Sequence, residues 1–162
     1  MLRVVPHDSL ENLLLDGEIQ VMPAFRENAP KRAVYHELSL CRVVCAAPAG
    51  SPLAQRESVS VQELAGSPLI AVTRPNAVPR AVTAVQNQLL AGRDPGQVIF
   101  CESFEAQSAV IAAGFSAITA GVCYTPVEGA EPISYGAAYM PGERDRLLER
   151  FLRVLEETAA GQ

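Results

Sequence analysis

The chain has 162 residues, 49% of them hydrophobic and 19% charged, so it is long enough and apolar enough to bury a core. Its formal net charge of -5 offers no basic surface on which a phosphate backbone would bind with release of counterions. These values exclude a disordered chain and a polypeptide that binds DNA by itself.

Strand-like and helical patterns alternate along the chain and end at Gly or Pro, which is typical of an α/β domain built on mostly parallel sheets. Asp8 and Glu11 form a D-x-x-E variant of the capping box at the start of a first helix that Gly17 ends. Ser60 and Glu63 form a second capping box before a short helix. Strands are predicted at 2–5, 18–22, 69–72, 98–101, 117–122 and 133–139, and further helices at 78–89, 104–113 and 147–155.

The apolar segment 34–47 is long enough for one strand, or for two strands joined by a bend. Arg42 stands inside it, and a charge within an apolar strand needs a partner or an exit to water. Its guanidinium either binds a partner, such as a carboxylate held through two hydrogen bonds, or reaches water from a strand edge. The residues alone leave both interpretations open.

A polar turn follows the predicted strand 69–72 and precedes a helix. It contains Thr73, Arg74 and Asn76, and the free N–H groups and dipole of a helix N-terminus favour an anion there. The alternative is a capping turn around Pro75 in which Thr73 or Asn76 only satisfies the backbone.

A second turn of the same kind follows the strand 98–101 and contains Ser103 and Phe104. Ser103 either helps to bind a ligand at the helix N-terminus or is a structural N-cap. Phe25 follows the predicted strand 18–22, and from the residues alone packing within an exposed loop is a sufficient explanation for it.

The four cysteines and two histidines do not have the spacing of a zinc site or a disulfide framework, and no cofactor is expected. If Cys41 and Cys45 share one strand, they lie about 13 Å apart, too far for a disulfide. No set of base, nucleophile and metal ligands indicates an enzyme. The first 17 residues lack the regions of a signal peptide and no uncharged run would span a bilayer, so a cytoplasmic location without membrane contact is expected.

Three separated blocks resemble, in order and spacing, the regulatory domain of LysR-type transcriptional regulators. The blocks are LLLDGEIQV, SPLAQRESVSVQELAGSPLIAV and ESFEAQSAVIAAGFSAITAGV. The resemblance covers nearly the whole chain and implies a type 2 periplasmic-binding-protein-like α/β fold, with two lobes, crossover hinge strands and a small-molecule cleft between the lobes. The expected lobes are 1–45 with 137–162, and 46–136.

The resemblance implies an effector-sensing domain whose ligand shifts lobe closure or subunit packing, which the DNA-binding domain then reads. It places Phe25 and the turns at Thr73 and Ser103 beside the cleft. Two helix N-termini and Arg42 would converge there, so we expect a small organic anion, in particular a carboxylate, as the effector.

The resemblance also bears on partners. The family's winged helix-turn-helix, linker helix, and first strand and helix of the regulatory domain have no counterpart upstream of Leu2, so we expect DNA contact only through that absent domain. Family domains pair through a strand and a helix of lobe one, so a homodimer or higher homo-oligomer is expected. A peroxide-responsive redox role of the cysteines is the alternative to simple burial. The alternative overall function is a solute-binding protein of a transport system with the same fold, against which the lack of a signal peptide counts.

Overall fold

The computed structural model describes residues 7–73, 78–102, 107, 110, 111, 122–142 and 146–160. The chain forms two compact units, one of Met1–Cys41 with Ile133–Gln162 and the other of Arg42–Pro132. The helices are α1 (His7–Leu15), α2 (Val61–Ala65), α3 (Arg80–Leu90) and α4 (Arg146–Ala160). The strands are β1 (Met22–Phe25), β2 (Val34–Cys41), β3 (Val44–Pro48), β4 (Ile70–Thr73), β5 (Val98–Cys101), β6 (Val122–Pro126) and β7 (Ile133–Tyr139).

The first unit is a three-stranded antiparallel sheet in the order β1-β7-β2, with a helix on each face. Successive residues of β7 point to opposite faces, so Ala138 packs with Leu14 of α1 while Tyr139 packs with Leu148 and Leu152 of α4. All five side chains are buried, so both sides of this sheet contribute to the core.

The side chain of Tyr35 lies over the central strand β7 at Gly136. A Cβ atom at Gly136 would lie 2.1 Å from the carbonyl oxygen of His36 and 2.9 Å from the Tyr35 ring. Beyond Gly136, the Tyr35 hydroxyl lies 2.9 Å from Oγ of Ser134. The absence of a side chain at this position is therefore required for the local packing.

The second unit contains the antiparallel pair β3-β6 and the parallel pair β4-β5. Its core includes Val59, Leu64, Val72 and Val85, each at most 7% exposed. Arg93 links α2 to α3. Its guanidinium donates to the carbonyls of Ala65 (2.6 Å) in α2 and Ser67 (2.7 Å) just after it, and to the carbonyl of Leu89 (3.2 Å) in α3.

Several sequence predictions are confirmed. The strands 98–101 and 133–139 have the predicted bounds, and 34–47 forms two strands, the second of the two alternatives. The capping box at α2 is formed, since Ser60 accepts from the Glu63 N–H at 3.2 Å and the Ser60 N–H donates to the Glu63 carboxylate at 2.9 Å.

Other predictions need correction. The strand expected at 18–22 lies at Met22–Phe25, because Gly17 (φ 73°) and backbone bonds from Glu18 and Ile19 to Leu13 extend the end of α1 into a turn. The helix α1 already includes His7, so Asp8 stands within the helix and not at the predicted N-cap position. The helix expected at 78–89 begins at Arg80. The predicted strand 2–5 lies outside the described residues, and so does the predicted strand 117–122 except for Val122, which begins β6.

The expectation of mostly parallel sheets is wrong for the described strands, of which only β4 and β5 pair in parallel. The reason is topological. The chain leaves the first unit at the end of β2 and re-enters it at the start of β7, so β2 and β7 run in opposite directions. Accordingly β2 pairs with β7 and β3 with β6, both antiparallel.

Candidate functional site

The carboxyl ends of β4 and β5 lie side by side in the second unit. The two strands are parallel, and the last residues, Thr73 and Cys101, are partners in the register. Carboxyl ends of parallel strands are the usual position of ligand sites in α/β sheets. The two predicted polar turns therefore start from the same edge, and residues 107, 110 and 111 after β5 are helical.

Four predicted site residues of these turns, Arg74, Asn76, Ser103 and Phe104, lie outside the described residues. Thr73 is described as the last residue of β4 and is buried, with 4% of its surface exposed. The helix expected to follow it directly begins only at Arg80, with Pro79 as an N-cap that has no side-chain cap bond.

The buried side chain of Gln86 in α3 binds Thr73. We assign the amide so that its nitrogen donates to the Thr73 carbonyl (3.0 Å) and its oxygen accepts from the Thr73 N–H and hydroxyl (3.2 Å each). The reverse orientation would set acceptor against acceptor and donor against donor. Because the hydroxyl proton of Thr73 is directed to Gln86, this hydroxyl is left as an acceptor.

A second glutamine binds the same strand, since Nε2 of Gln107 donates to the carbonyl of Ala71 at 2.8 Å. Ala71 and Thr73 are two apart, so their peptide groups face the same edge of β4. Two side-chain amides thus form hydrogen bonds with the backbone groups on that edge of β4, as a neighbouring strand would. Sequence reasoning missed both, although Gln86 stands one turn after Val82 on the apolar side of α3, and a polar residue there signals a buried bond.

Arg42 lies in the two-residue break between β2 and β3 and is exposed. Of the two alternatives for the segment 34–47, two strands joined by a bend is the one formed: β2 ends at Cys41, where the chain leaves its partner β7, and β3 starts at Val44. The following residue, Val43, is buried, and its carbonyl accepts from the Val127 N–H at 2.9 Å. The backbone is thus fixed next to an arginine whose side chain reaches solvent.

Phe25 is the last residue of β1 and not part of a turn, because the strand is displaced towards the C-terminus from its predicted position. Its ring meets that of Tyr135 edge to face, with centroids 5.7 Å apart. This contact belongs to the first unit, whereas Arg42 and Thr73 belong to the second. Arg42 also leads into the β3-β6 pair, a different sheet from that of Thr73.

A polar cluster that the sequence did not indicate follows Phe25. The Arg26 guanidinium lies over the Tyr35 ring, 4.8 Å from its centroid, and donates to Glu37 at 3.1 Å. A hydrogen bond from Ser134, and then one from Arg26, hold the pKa of Glu37 below its ordinary value. Since the charges of Arg26 and Glu37 compensate each other, this cluster is not arranged to bind a free anion.

All four cysteines are free thiols. Cys41 ends β2 and Cys45 lies in β3, so the two cysteines do not share one strand, because the chain changes sheets between them. Burial raises the pKa of Cys45 and of Cys101. Both are therefore protonated and poorly nucleophilic at neutral pH.

Two further kinds of feature are absent from the described ranges. No group of three or more His, Cys, Asp and Glu side chains there is arranged to hold a metal ion. No helix in these ranges combines the length and apolar character needed to cross a membrane.

Solved structures with a similar fold are regulators of transcription. HinK, a LysR family transcriptional regulator from Pseudomonas aeruginosa, superposes with a TM-score of 0.71 at 17% identity, over 97% of this chain and 59% of that one. The C-terminal domain of a probable LysR family transcriptional regulator from Rhodococcus sp. RHA1 gives 0.67 at 17% identity, over 92% and 80%. The BenM effector binding domain with its effector benzoate gives 0.66 at 16% identity, over 96% and 76%.

The chain spans 59% of HinK, less than two thirds of its length. No curated protein sequence matches the chain. The likeness to these structures confirms the two-lobed, periplasmic-binding-protein-like fold of LysR effector-binding domains. The profile of the LysR substrate binding domain matches residues 1–160, and the chain therefore belongs to that family.

Proposed function

We propose that this chain is the effector-sensing regulatory domain of a LysR-type transcriptional regulator. The observation that carries the proposal is the family match over residues 1–160, and the likeness to the benzoate-binding domain of BenM supports it. Binding of a small molecule shifts the population of domain conformations, and a DNA-binding domain reads that shift. The domain is on this account a binding module and not an enzyme, and it acts in the cytoplasm as a homodimer or higher homo-oligomer.

The proposed effector is a small organic anion, in particular a carboxylate. Arg42 supports this choice because it is exposed and, within the described part of the chain, forms no ion pair with a carboxylate. An arginine with free N–H groups binds a carboxylate through two parallel hydrogen bonds. The further predicted contacts are Phe25, Arg74, Asn76, Ser103 and Phe104.

In this proposal Thr73 does not donate a hydrogen bond to the effector. Its hydroxyl proton is directed to Gln86, so the hydroxyl has no proton to offer a carboxylate. Thr73 instead fixes the start of the turn that carries Arg74 and Asn76. Donors to the anion are then Arg42 and the backbone N–H groups of the two turns.

The proposal is tested by thermal shift of the chain with benzoate, other aromatic acids, aliphatic mono- and dicarboxylates, and neutral analogues such as benzamide. A ligand that binds only the folded state raises the melting temperature, so at least one carboxylate should do so and its neutral analogue should not. A melting temperature raised only by neutral compounds, or by none of the panel, would contradict the proposal.

The role of Arg42 is tested by titrating the best carboxylate into Arg42→Ala. Loss of a charge-assisted pair of hydrogen bonds should weaken binding roughly 10- to 100-fold, or about 1.5 to 3 kcal/mol. Arg56→Ala is the matched control, because Arg56 is an exposed arginine of the same unit, 61% accessible, whose partner is Glu63. Equal affinity of the two variants would remove Arg42 from the site.

A further inference from the structure

The helix α4 is apolar on two adjacent sides, and its own sheet covers only one of them. Leu148 and Leu152 are buried against Ala137 and Tyr139. On the adjacent side Leu147, Phe151 and Val154 are 74%, 47% and 50% exposed. We call these last three residues the outer stripe.

The spacing of the outer stripe is that of a packing surface. Its residues are four and three apart, so they lie on one side of the helix, one above the other. The next position on this side is Thr158, whose hydroxyl donates to the Val154 carbonyl at 2.7 Å and so does not depend on water. An exposed row of this kind, continuous with the core face, marks an interaction site more than a solvated surface.

The charges of α4 are unevenly divided between its two ends. Its amino-terminal half carries Arg146, Arg150 and Arg153 with a single Glu149, whereas its last turn has no basic residue. In the carboxyl-terminal half, Glu156 lies 2.8 Å from Nε2 of His36 in the same unit. Glu157 is exposed beside the outer stripe.

A second copy of this helix, running antiparallel, matches this division. If Phe151 packs opposite Val154 of the second copy, Leu147 faces the second copy's Thr158. Arg150 and Glu157 of the two copies are then offset by two residues, about 3 Å along the helix axis, which is within reach of an ion pair. The two-fold axis repeats each contact, so both Arg150–Glu157 pairs form at once. A parallel arrangement would place like charges together.

We propose that the outer stripe of α4 is a self-association surface on which two copies of the chain pair through antiparallel α4 helices. The inference rests on the homo-oligomer of the proposed function and assigns residues to its interface. Three apolar side chains from each copy give an interface at the small end of the protein–protein range, so we expect a reversible dimer with a Kd on the order of 10 µM.

The test is sedimentation velocity of the whole chain from about 1 to about 200 µM, a range around that Kd. The unmodified chain should move from monomer to dimer over this range. Phe151→Ser should remain a monomer throughout. The control is Phe100→Ser, because Phe100 is also exposed (61%) but belongs to the other unit, and this variant should associate as the unmodified chain does.

Charge reversal identifies the partner as a second copy. Arg150→Glu and Glu157→Arg should each abolish the homodimer, because each places like charges opposite one another twice. A mixture of the two variants should form a heterodimer, since the introduced glutamate of one variant then faces the introduced arginine of the other. Only pairing of α4 with α4 predicts that two non-associating variants associate when mixed.

A chain that stays monomeric over the whole concentration range overturns the proposal. The outer stripe would then be a contact surface for another segment or another protein. A dimer that ignores Phe151→Ser, or variants that fail to associate when mixed while their melting temperatures stay unchanged, overturn it as well. Thermal shift with the carboxylate panel separates this result from the proposed function. If monomeric variants still bind a carboxylate, effector sensing stands without the dimer. If the chain dimerises but binds no carboxylate, the result counts against effector sensing and not against the dimer.

Discussion

The side-chain amide of Gln86 forms peptide-like hydrogen bonds with the backbone of Thr73, 3.0 Å to its carbonyl and 3.2 Å to its N–H. Both residues are buried, at 8% and 4% exposure, so neither can exchange this bond for one to water. The helix α3 is thereby fixed to the carboxyl end of β4, where the first predicted effector turn begins.

Replacing Gln86 with Leu should lower the free energy of unfolding by about 2 to 3 kcal/mol, because the N–H and carbonyl of Thr73 would be left buried without partners. Urea denaturation followed by circular dichroism measures the change. Gln88→Leu, an exposed position on the same helix, is the control and should change stability by at most about 0.5 kcal/mol. Equal effects at the two positions would show that the Gln86–Thr73 bond does not stabilise the fold.

Replacing Gly136 with Ala should lower the free energy of unfolding by about 2 kcal/mol or more, because the new methyl group would meet the His36 carbonyl at 2.1 Å and force β2 and β7 apart. Gly66→Ala is the control, since its Cβ would lie 3.3 Å from the Glu63 carbonyl, at an ordinary negative φ of -74°. Thermal denaturation should separate the two variants by several degrees. If Gly136→Ala and Gly66→Ala have the same melting temperature, the close packing of Tyr35 and His36 against Gly136 does not constrain the residue at this position.

The sequence predicts the parts of this fold that depend on local chemistry. The Ser60–Glu63 box and the strand 133–139 require only capping residues and apolar patterning, and both are formed as predicted. The pairing of strands depends on contacts distant in the chain. The apolar pattern of the segment 34–47 does not show that its first half pairs with β7 and its second half with β6, so the pattern alone leaves open whether Arg42 lies within one strand or between two.

The same distinction applies to the candidate site. That the turns after β4 and β5 start side by side was predictable from the order of strands and helices. The Gln86–Thr73 bond was not, because it joins a helix face to a strand edge that only the folded chain brings together. Arg26, Tyr35, Glu37 and Ser134 likewise come from three separate stretches of the chain.

The thiol of Cys101 should react with iodoacetamide only after unfolding. Its side chain is buried, with 4% exposed, and burial raises its pKa, which removes the reactive thiolate at neutral pH. Mass spectrometry of the chain after timed alkylation at pH 7.5 measures modification at each cysteine. Cys101 should be modified more slowly than the partly exposed Cys41 and Cys123 in the native chain, and all should react equally in urea. Rapid native alkylation of Cys101 would contradict the burial.

Acid should weaken the start of α2. Hydrogen bonds from the backbone N–H and then the hydroxyl of Ser60 hold the pKa of Glu63 below its ordinary value of 4.5. A carboxyl whose pKa is lowered by folding stabilises the fold above its unfolded pKa, and this contribution is lost as the pH falls through the folded pKa. Glu63→Gln should therefore lower the melting temperature at pH 7 and have a smaller effect near pH 3.

The control for this pH dependence is Glu57→Gln, an exposed glutamate close to the same helix. Its effect on the melting temperature should be small at both pH values. An effect of Glu63→Gln that is the same at pH 7 and pH 3 would show that the charged form of this carboxyl does not stabilise the capping box.

Hydrogen exchange of the chain, measured by mass spectrometry with and without a saturating amount of the carboxylate that gives the largest thermal shift, tests the proposed effector site most directly. Binding at the proposed site should slow exchange in peptides that contain Arg42 and in those that span the carboxyl ends of β4 and β5 and the segments after them. Peptides from α2 should be unaffected. Protection confined to other parts of the chain, or no protection by any carboxylate of the panel, would contradict the account.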